Sequence, residues 1–386
     1  MKFSYRVTTL EDNITEKVLT SGFKNAGIIS LAGGTPPLEI PRPYLSRLFN
    51  LTEKNVKISQ YSSDPRGIKS LRKQIANDLS KEFGFDISYR NILITNGSTA
   101  GLFTACQAFI DQDDETLLFS PHWSVYRDQC HLAGGKVKEV VLNENDGWEI
   151  DFLALRKSLT NKIKLVIISD PVNPTGTIFS VNSKRKLLSF IEEKKQCILI
   201  VDETYRHLLA PGIKFQSLVK FSKSTDKIIL CRSFSKDFSM SGFRLGFVYA
   251  SIECIENLAR IHLAMNLMAS TFSQELGRIL YKSKKQITDK YAEEYHRRRI
   301  LVCDRLDELS DFFSYVEPIG GFFVFPRFNF EMTSIEFFKK ALKLGVLIRP
   351  GLEFGAGSEK HIRISFTNST VNINRAFDRL KRLRMI

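Results

Sequence analysis

Between about residues 68 and 250, short apolar runs alternate with longer stretches of helical spacing. The runs are NILIT (91–95), ETLLFS (115–120), VKEVVL (137–142), KLVIIS (164–169), CILIVD (197–202), KIILC (227–231) and RLGFVYA (244–250). Several are apolar at consecutive positions, as in strands covered on both faces. Strands separated by helical segments need crossover connections, so the pattern predicts an α/β fold with a mostly parallel sheet between helices. In such sheets ligands gather at the carboxyl ends of the strands, which directs attention to the residues just after each run.

The first 50 residues, broken by AGGTPPLEIPRP, read as an arm and a connector. A long amphipathic helical pattern around 285–311 precedes GGFFVFPRF, a helix, GVLIRP and HIRISF, which together read as a smaller α+β unit. The expected division is an N-terminal arm with part of the small domain at 1–48, a large domain at 49–284 and a C-terminal small domain at 285–386.

A chain of 386 residues suits one large and one smaller domain. No apolar stretch approaches the roughly 20 residues that cross a bilayer, so no membrane partner is expected. The opening MKFSYRVTTLEDNITEKV lacks the apolar core of a signal peptide, and a cytoplasmic location is expected. Six cysteines are scattered without a CxxC pair, against both a zinc cluster and a disulfide framework. The net charge of +14 raises nucleic acid as a partner. However, the lysines are spread out with acidic residues interleaved, and the densest cluster, HRRR at 296–299, reads as a solvated helix face. No nucleic-acid partner is expected.

The strand ends carry the candidate chemistry. KIILC leads into CRSFSKDFSMSGFRLGF (231–247), where Lys236 lies among serines with Arg244 eight residues downstream. A surface loop and a covalent anchor for an anionic cofactor both fit that stretch. NILIT is followed by NGSTAG, small residues at a helix start that suit a phosphate, with no Walker-type GK[ST]. Trp123 in PHWSVY suits either the core or a flat ring to stack on, and Asn173 lies in the turn sequence DPVNPTG. Asp202 in DETY ends a buried strand, which is costly unless it meets a cation or donors, and a protonated pyridine nitrogen is such a partner. Glu203 and His207 lie four apart on the following helical pattern without a third ligand, so no metal is expected.

Together YSSDPRGIKSLR, NGSTAG, PHW, DPVNPTG, DETY, SFSKDFSMSGFRLG and HIRISF resemble the class I/II aminotransferases, fold type I enzymes dependent on pyridoxal phosphate, in order and approximate spacing. The resemblance implies a seven-stranded, mostly parallel sheet in the large domain and a homodimer with shared active sites. It assigns Lys236 as the covalent anchor, Ser98, Thr99, Ser233 and Arg244 to the phosphate, and Asp202 to the pyridine nitrogen. It also assigns Tyr205 and Asn173 to the ring's phenolic oxygen and Trp123 to stacking. Tyr61 is placed on the neighbouring subunit's phosphate, Arg363 on the substrate carboxylate, and the Gly34 backbone beside that carboxylate. The chemistry suits these types: nearby cationic charge lowers a lysine pKa, and an arginine fork matches a carboxylate.

Two departures bear on the substrate. Some dicarboxylate-specific relatives carry a lysine where this chain has Thr99, which weighs against aspartate or glutamate. In GVLIRPGLEFG, the PG..FG pattern resembles the aspartate-aminotransferase-like branch, whereas Arg349 resembles the histidinol-phosphate branch. Arg349 and Arg127 stand as extra anion contacts or as surface residues. The expected activity is amino transfer between a small amino acid and a 2-oxo acid. The alternatives are a lyase, decarboxylase or cyclase on the same scaffold, or a cofactor-binding regulator of DNA, for which the stretch before the first motif leaves no room.

Overall fold

A computed structural model of the chain describes every residue except 9, 11, 12, 21–26, 37, 55, 223–225 and 386. All seven apolar runs form strands of one sheet. They are β1 (Ile92–Thr95), β2 (Glu115–Ser120), β3 (Lys136–Val141), β4 (Ile163–Ser169), β5 (Ile198–Asp202), β6 (Ile228–Ser233) and β7 (Gly246–Tyr249). Their order is β1-β7-β6-β5-β4-β2-β3, parallel throughout except for β7, which runs against both its neighbours.

Consecutive apolar residues divide between two cores. Leu165 and Ile167 of β4 face one hydrophobic cluster, while Val166 and Ile168 face the other. This two-sided burial is why the runs do not alternate with polar residues. Edge strand β3 is the exception, with Lys136 and Val141 exposed.

The stretch read as an arm contains a short helix, α1 (Ile14–Thr20), started by Asn13, whose side chain accepts from the Glu16 backbone N–H at 2.9 Å. Helix α2 (Lys69–Phe83) buries Leu71, Ile75, Leu79 and Phe83 along one stripe and stops at Gly84, whose φ of 83° favours glycine. Helix α3 (Ser98–Phe109) starts two residues beyond β1, and α4 (Val125–Ala133) comes after β2. Helix α5 (Ile252–Asn266) packs on α3.

The long helix α6 (Lys284–Asp307) precedes three short antiparallel strands in the order Phe323–Val324, Ile362–Ser365, Arg349–Pro350. Ile29–Ser30 pairs in parallel with Val346–Leu347, tying the start of the chain to its last third.

Two expectations are corrected. The HRRR cluster on α6 is not uniformly solvated: Arg297 is exposed, but Arg299 is buried and donates to the Pro318 carbonyl at 3.2 Å. Arg298 donates to the Asn368 carbonyl at 2.8 Å, so both arginines serve as packing cations on a helix covered by the last third of the chain. Residues 204–207 form a turn, not a helix, and the preceding Glu203 is drawn inward to Arg232. No helix among the described residues is long and apolar enough to cross a membrane.

Candidate active site

A cavity of about 700 Å³ opens at the carboxyl ends of the parallel strands. Gly34, Ser98, Thr99, Trp123, Asn173, Asp202, Tyr205, Ser233, Lys236, Arg244 and Arg363 all line it. Tyr61 does not: it is 75% exposed and lines a separate depression with Ser62, Asp64 and Arg72. Of the two further arginines, Arg349 lines the cavity and Arg127, on α4, does not.

One end of the cavity is built for an anion. The start of α3 leaves backbone N–H groups without helical partners and carries the positive end of the helix dipole. Arg244, held in a left-handed conformation at φ 51°, brings its guanidinium against the turn before α3. Gly97, at φ 82° in the region that favours glycine, lies against this guanidinium, and a Cβ there would be 2.7 Å from Arg244 Nη2. The Ser233 hydroxyl oxygen accepts from the Ser235 N–H at 3.1 Å, which leaves the hydroxyl proton to donate elsewhere.

Asp202, at the end of β5, is 4% exposed. Its Oδ1 accepts from the Thr204 N–H at 3.0 Å and hydroxyl at 2.5 Å, and its Oδ2 accepts from the Tyr126 hydroxyl at 2.8 Å. Burial pushes this carboxyl up and the three hydrogen bonds pull it back, yet no arginine or lysine bonds to it among the described residues. A carboxylate held this way calls for a cationic partner. Beneath it, buried Arg232 bridges Glu203 (Nε–Oε2, 2.9 Å) and Glu82 (Nη1–Oε2, 2.8 Å). That bridge clamps the ends of β5 and β6, which carry Asp202 and Ser233.

Lys236 Nζ donates to the Gly34 carbonyl. Burial, followed by the nearby charges of Arg363 and Arg244, lowers its pKa to about 8, so a neutral and therefore nucleophilic amine is accessible near physiological pH. Arg363, 4% exposed, donates to Asn173 Oδ1 at 3.0 Å and to the Ala32 carbonyl at 2.8 Å. Its guanidinium stacks 4.0 Å from the Phe323 ring centre, and its buried Nε has no partner among the described residues. Burial and neighbouring Arg349 push Arg363 down from its usual pKa, marking a cation that an anion would relieve. Because Asn173 accepts through Oδ1, its amide N–H groups remain for another acceptor.

Trp123 meets Tyr126 edge-on at 5.5 Å, and Tyr205 sits edge-on to Phe322 and Phe323 at 5.3 and 5.6 Å. Sequence reasoning missed Tyr126, Thr204, Asn13 and Glu16, all on the cavity wall. Thr204 lies two residues after Asp202, the spacing of a side chain that turns back on its own backbone, and offered a signal. Asn13 with Glu16 three residues on offered a helix-start signal. Tyr126 offered none, since its partner lies 76 positions away.

Anion-binding end, buried carboxylate, aromatic wall and single lysine fit the phosphate, pyridine nitrogen, ring and aldehyde of pyridoxal phosphate. The chain matches the family described as aminotransferase class I and II over residues 30–380. It is 31% identical over 371 residues to the (5-formylfuran-3-yl)methyl phosphate transaminase of Methanocaldococcus jannaschii, covering 95% of this chain and 94% of that one. It is 30% identical over 362 residues to aromatic-amino-acid aminotransferase 2 of Thermococcus litoralis, covering 92% of each. The structure of an aspartate aminotransferase from Thermotoga maritima superposes with a TM-score of 0.90 at 26% identity, covering all of both chains. The chain belongs to the class I and II aminotransferases, pyridoxal-phosphate-dependent enzymes that move an amino group between an amino acid and a 2-oxo acid.

Proposed function

We propose that the cavity residues divide the work of amino transfer among them. Ser98, Thr99, Ser233 and Arg244 hold the cofactor phosphate, Trp123 covers the ring, and Asp202 keeps a proton on the ring nitrogen. Asn173, through its amide nitrogen, and Tyr205, through its hydroxyl, donate to the phenolic oxygen. When bound, pyridoxal phosphate supplies the electron sink that lets the Cα proton of an amino acid leave. Lys236 anchors the cofactor and then carries that proton between Cα and the cofactor's C4′ carbon. Arg363 grips the substrate carboxylate beside the Gly34 backbone. The observation that carries this reading is that Asp202, the Lys236–Arg244 stretch and Arg363 come from three separate parts of the sequence and line one cavity.

Arg363→Lys tests the carboxylate grip. A lysine lacks the planar fork that meets Asn173, Ala32 and an incoming carboxylate together. Substrate binding should weaken by about 2–5 kcal/mol, read as a rise in the Kd of an unreactive carboxylate analogue. An unchanged Kd would move the grip elsewhere.

The proposed assembly is a cytoplasmic homodimer with shared sites, in which Tyr61 reaches the partner's phosphate; its exposure and its distance from this chain's cavity residues support that reading. The division at 48 and 284 is supported by the pairing of Ile29–Ser30 with Val346–Leu347. Mixing Lys236→Ala with Tyr61→Phe under subunit exchange puts both defects in one site of the heterodimer and neither in the other. Activity should recover toward one native site per heterodimer. No recovery from demonstrated heterodimers would place Tyr61 in its own subunit's site or show that each site needs an intact neighbour.

A further inference from the structure

Arg349 stands directly opposite Arg363 in the antiparallel strand pair, and both guanidinium groups reach the Ala32 carbonyl, at 3.3 and 2.8 Å. A second arginine beside the carboxylate grip would ordinarily invite a second substrate carboxylate. Here its donors are engaged by the protein itself. Nη1 meets Glu353 at 3.0 Å and Asn13 at 3.4 Å, and Nη2 meets Glu16. Glu353 is fixed in turn by Thr15, whose N–H and hydroxyl donate to it at 2.9 and 2.8 Å, and Thr15 is fully buried. Two carboxylates, Glu353 and Glu16, therefore meet Arg349, and Glu16, with 52% of its side chain exposed, places its carboxylate on the cavity wall.

We propose that Glu16, with Asn13 and Arg349, forms the subsite for the substrate side chain and selects donors with a neutral or cationic side chain while rejecting a second carboxylate. This rests on Arg363 as the α-carboxylate grip and Lys236 as the group beside Cα, which leaves the wall of Asn13, Glu16 and Arg349 for the rest of the substrate. An acidic side chain there meets Glu16 at close range, and can reach Arg349 only by displacing an internal ion pair. Like charges brought together in a desolvated pocket are strongly unfavourable, so charge at this wall discriminates substrates of equal size.

Succinate and succinamate differ only by a carboxylate against an amide and need no turnover to bind. Calorimetric titration of the cofactor-loaded protein should find succinamate bound roughly tenfold or more tightly than succinate. In Glu16→Gln the gap should fall below about threefold, chiefly through tighter succinate. Glu16→Ala should narrow it as well, while the buried Thr15–Glu353 bonds keep α1 in place. A wild-type protein that binds succinate as tightly as succinamate, or a gap that survives both substitutions, would overturn the proposal. In parallel, asparagine should be a better donor than aspartate by kcat/KM. Failure of a panel of neutral, cationic and acidic amino acids to transfer an amino group would count against the catalytic assignment, while the binding ratio would still decide the role of Glu16.

Discussion

Replacing Lys236 by alanine is expected to lower turnover by roughly 10⁴-fold or more while leaving the fold intact, because this one side chain is proposed as both covalent anchor and proton carrier. The loss to the fold is small: among the described residues the Lys236 side chain makes one hydrogen bond, to the Gly34 carbonyl on the cavity wall, which water can replace. Burial and two arginines already disfavour the charged amine, so its removal also relieves an electrostatic cost. The wild-type lysine titrates near pH 8, below the usual lysine value, and is nucleophilic only when neutral. Capture of pyridoxal phosphate by the apoprotein should therefore speed up as pH rises through about 8 and level off above it. Stopped-flow absorbance checks the rate, and circular dichroism of the variant checks the fold. An alanine variant with near-native turnover would remove Lys236 from the chemistry.

Asp202→Asn is expected to slow turnover by roughly 10³-fold or more, since it takes away the only charge proposed to hold a proton on the ring nitrogen. The substitution isolates charge from shape. An asparagine Oδ1 keeps both bonds from Thr204, and the Tyr126 hydroxyl, which donates to Oδ2 in the wild type, can rotate to accept from the new amide. Folding stability should hold or rise, because a carboxylate pushed up by burial is replaced by a neutral group. Cofactor affinity should drop less than turnover does. The comparison that matters is the rate of Cα proton release from deuterated against ordinary substrate. A normal rate in Asp202→Asn would refute the electron-sink support assigned to this residue.

The large sheet was legible because its strands are covered on both faces: KLVIIS sends Val166 and Ile168 to one core and Leu165 and Ile167 to the other. Such runs stand out against any helical background. The last third of the chain was legible only in outline, since its strands are mostly two residues long and too short to show a period. Helix α1 escaped notice because seven residues carry barely two turns of pattern, although Asn13 and Glu16 marked its start. The apparent i, i+4 pair Glu203 and His207 misled because a buried arginine, Arg232, outweighs local helical preference by taking the Glu203 carboxylate.

The site divides along the same line. Residues at strand ends, such as Asp202 and Lys236, were identifiable from the break between an apolar run and a polar group that the fold would not bury without reason. Those that act through a distant partner were not. Tyr126 gains its meaning from Asp202, and Arg349 from Glu16, 333 positions away. Arg349 stood in the sequence as either an extra anion contact or a surface residue, and its guanidinium meets two carboxylates of the protein, Glu16 and Glu353.

The most direct measurement is chemical trapping of the anchor. The native protein, loaded with pyridoxal phosphate, is reduced with borohydride, digested, and its peptides are mapped by mass spectrometry. One reduced phosphopyridoxyl group per chain is expected, on Lys236, and none in protein carrying Lys236→Ala. Label on a different lysine, or labelling that survives the alanine substitution, would contradict the assignment of Lys236 as the anchor.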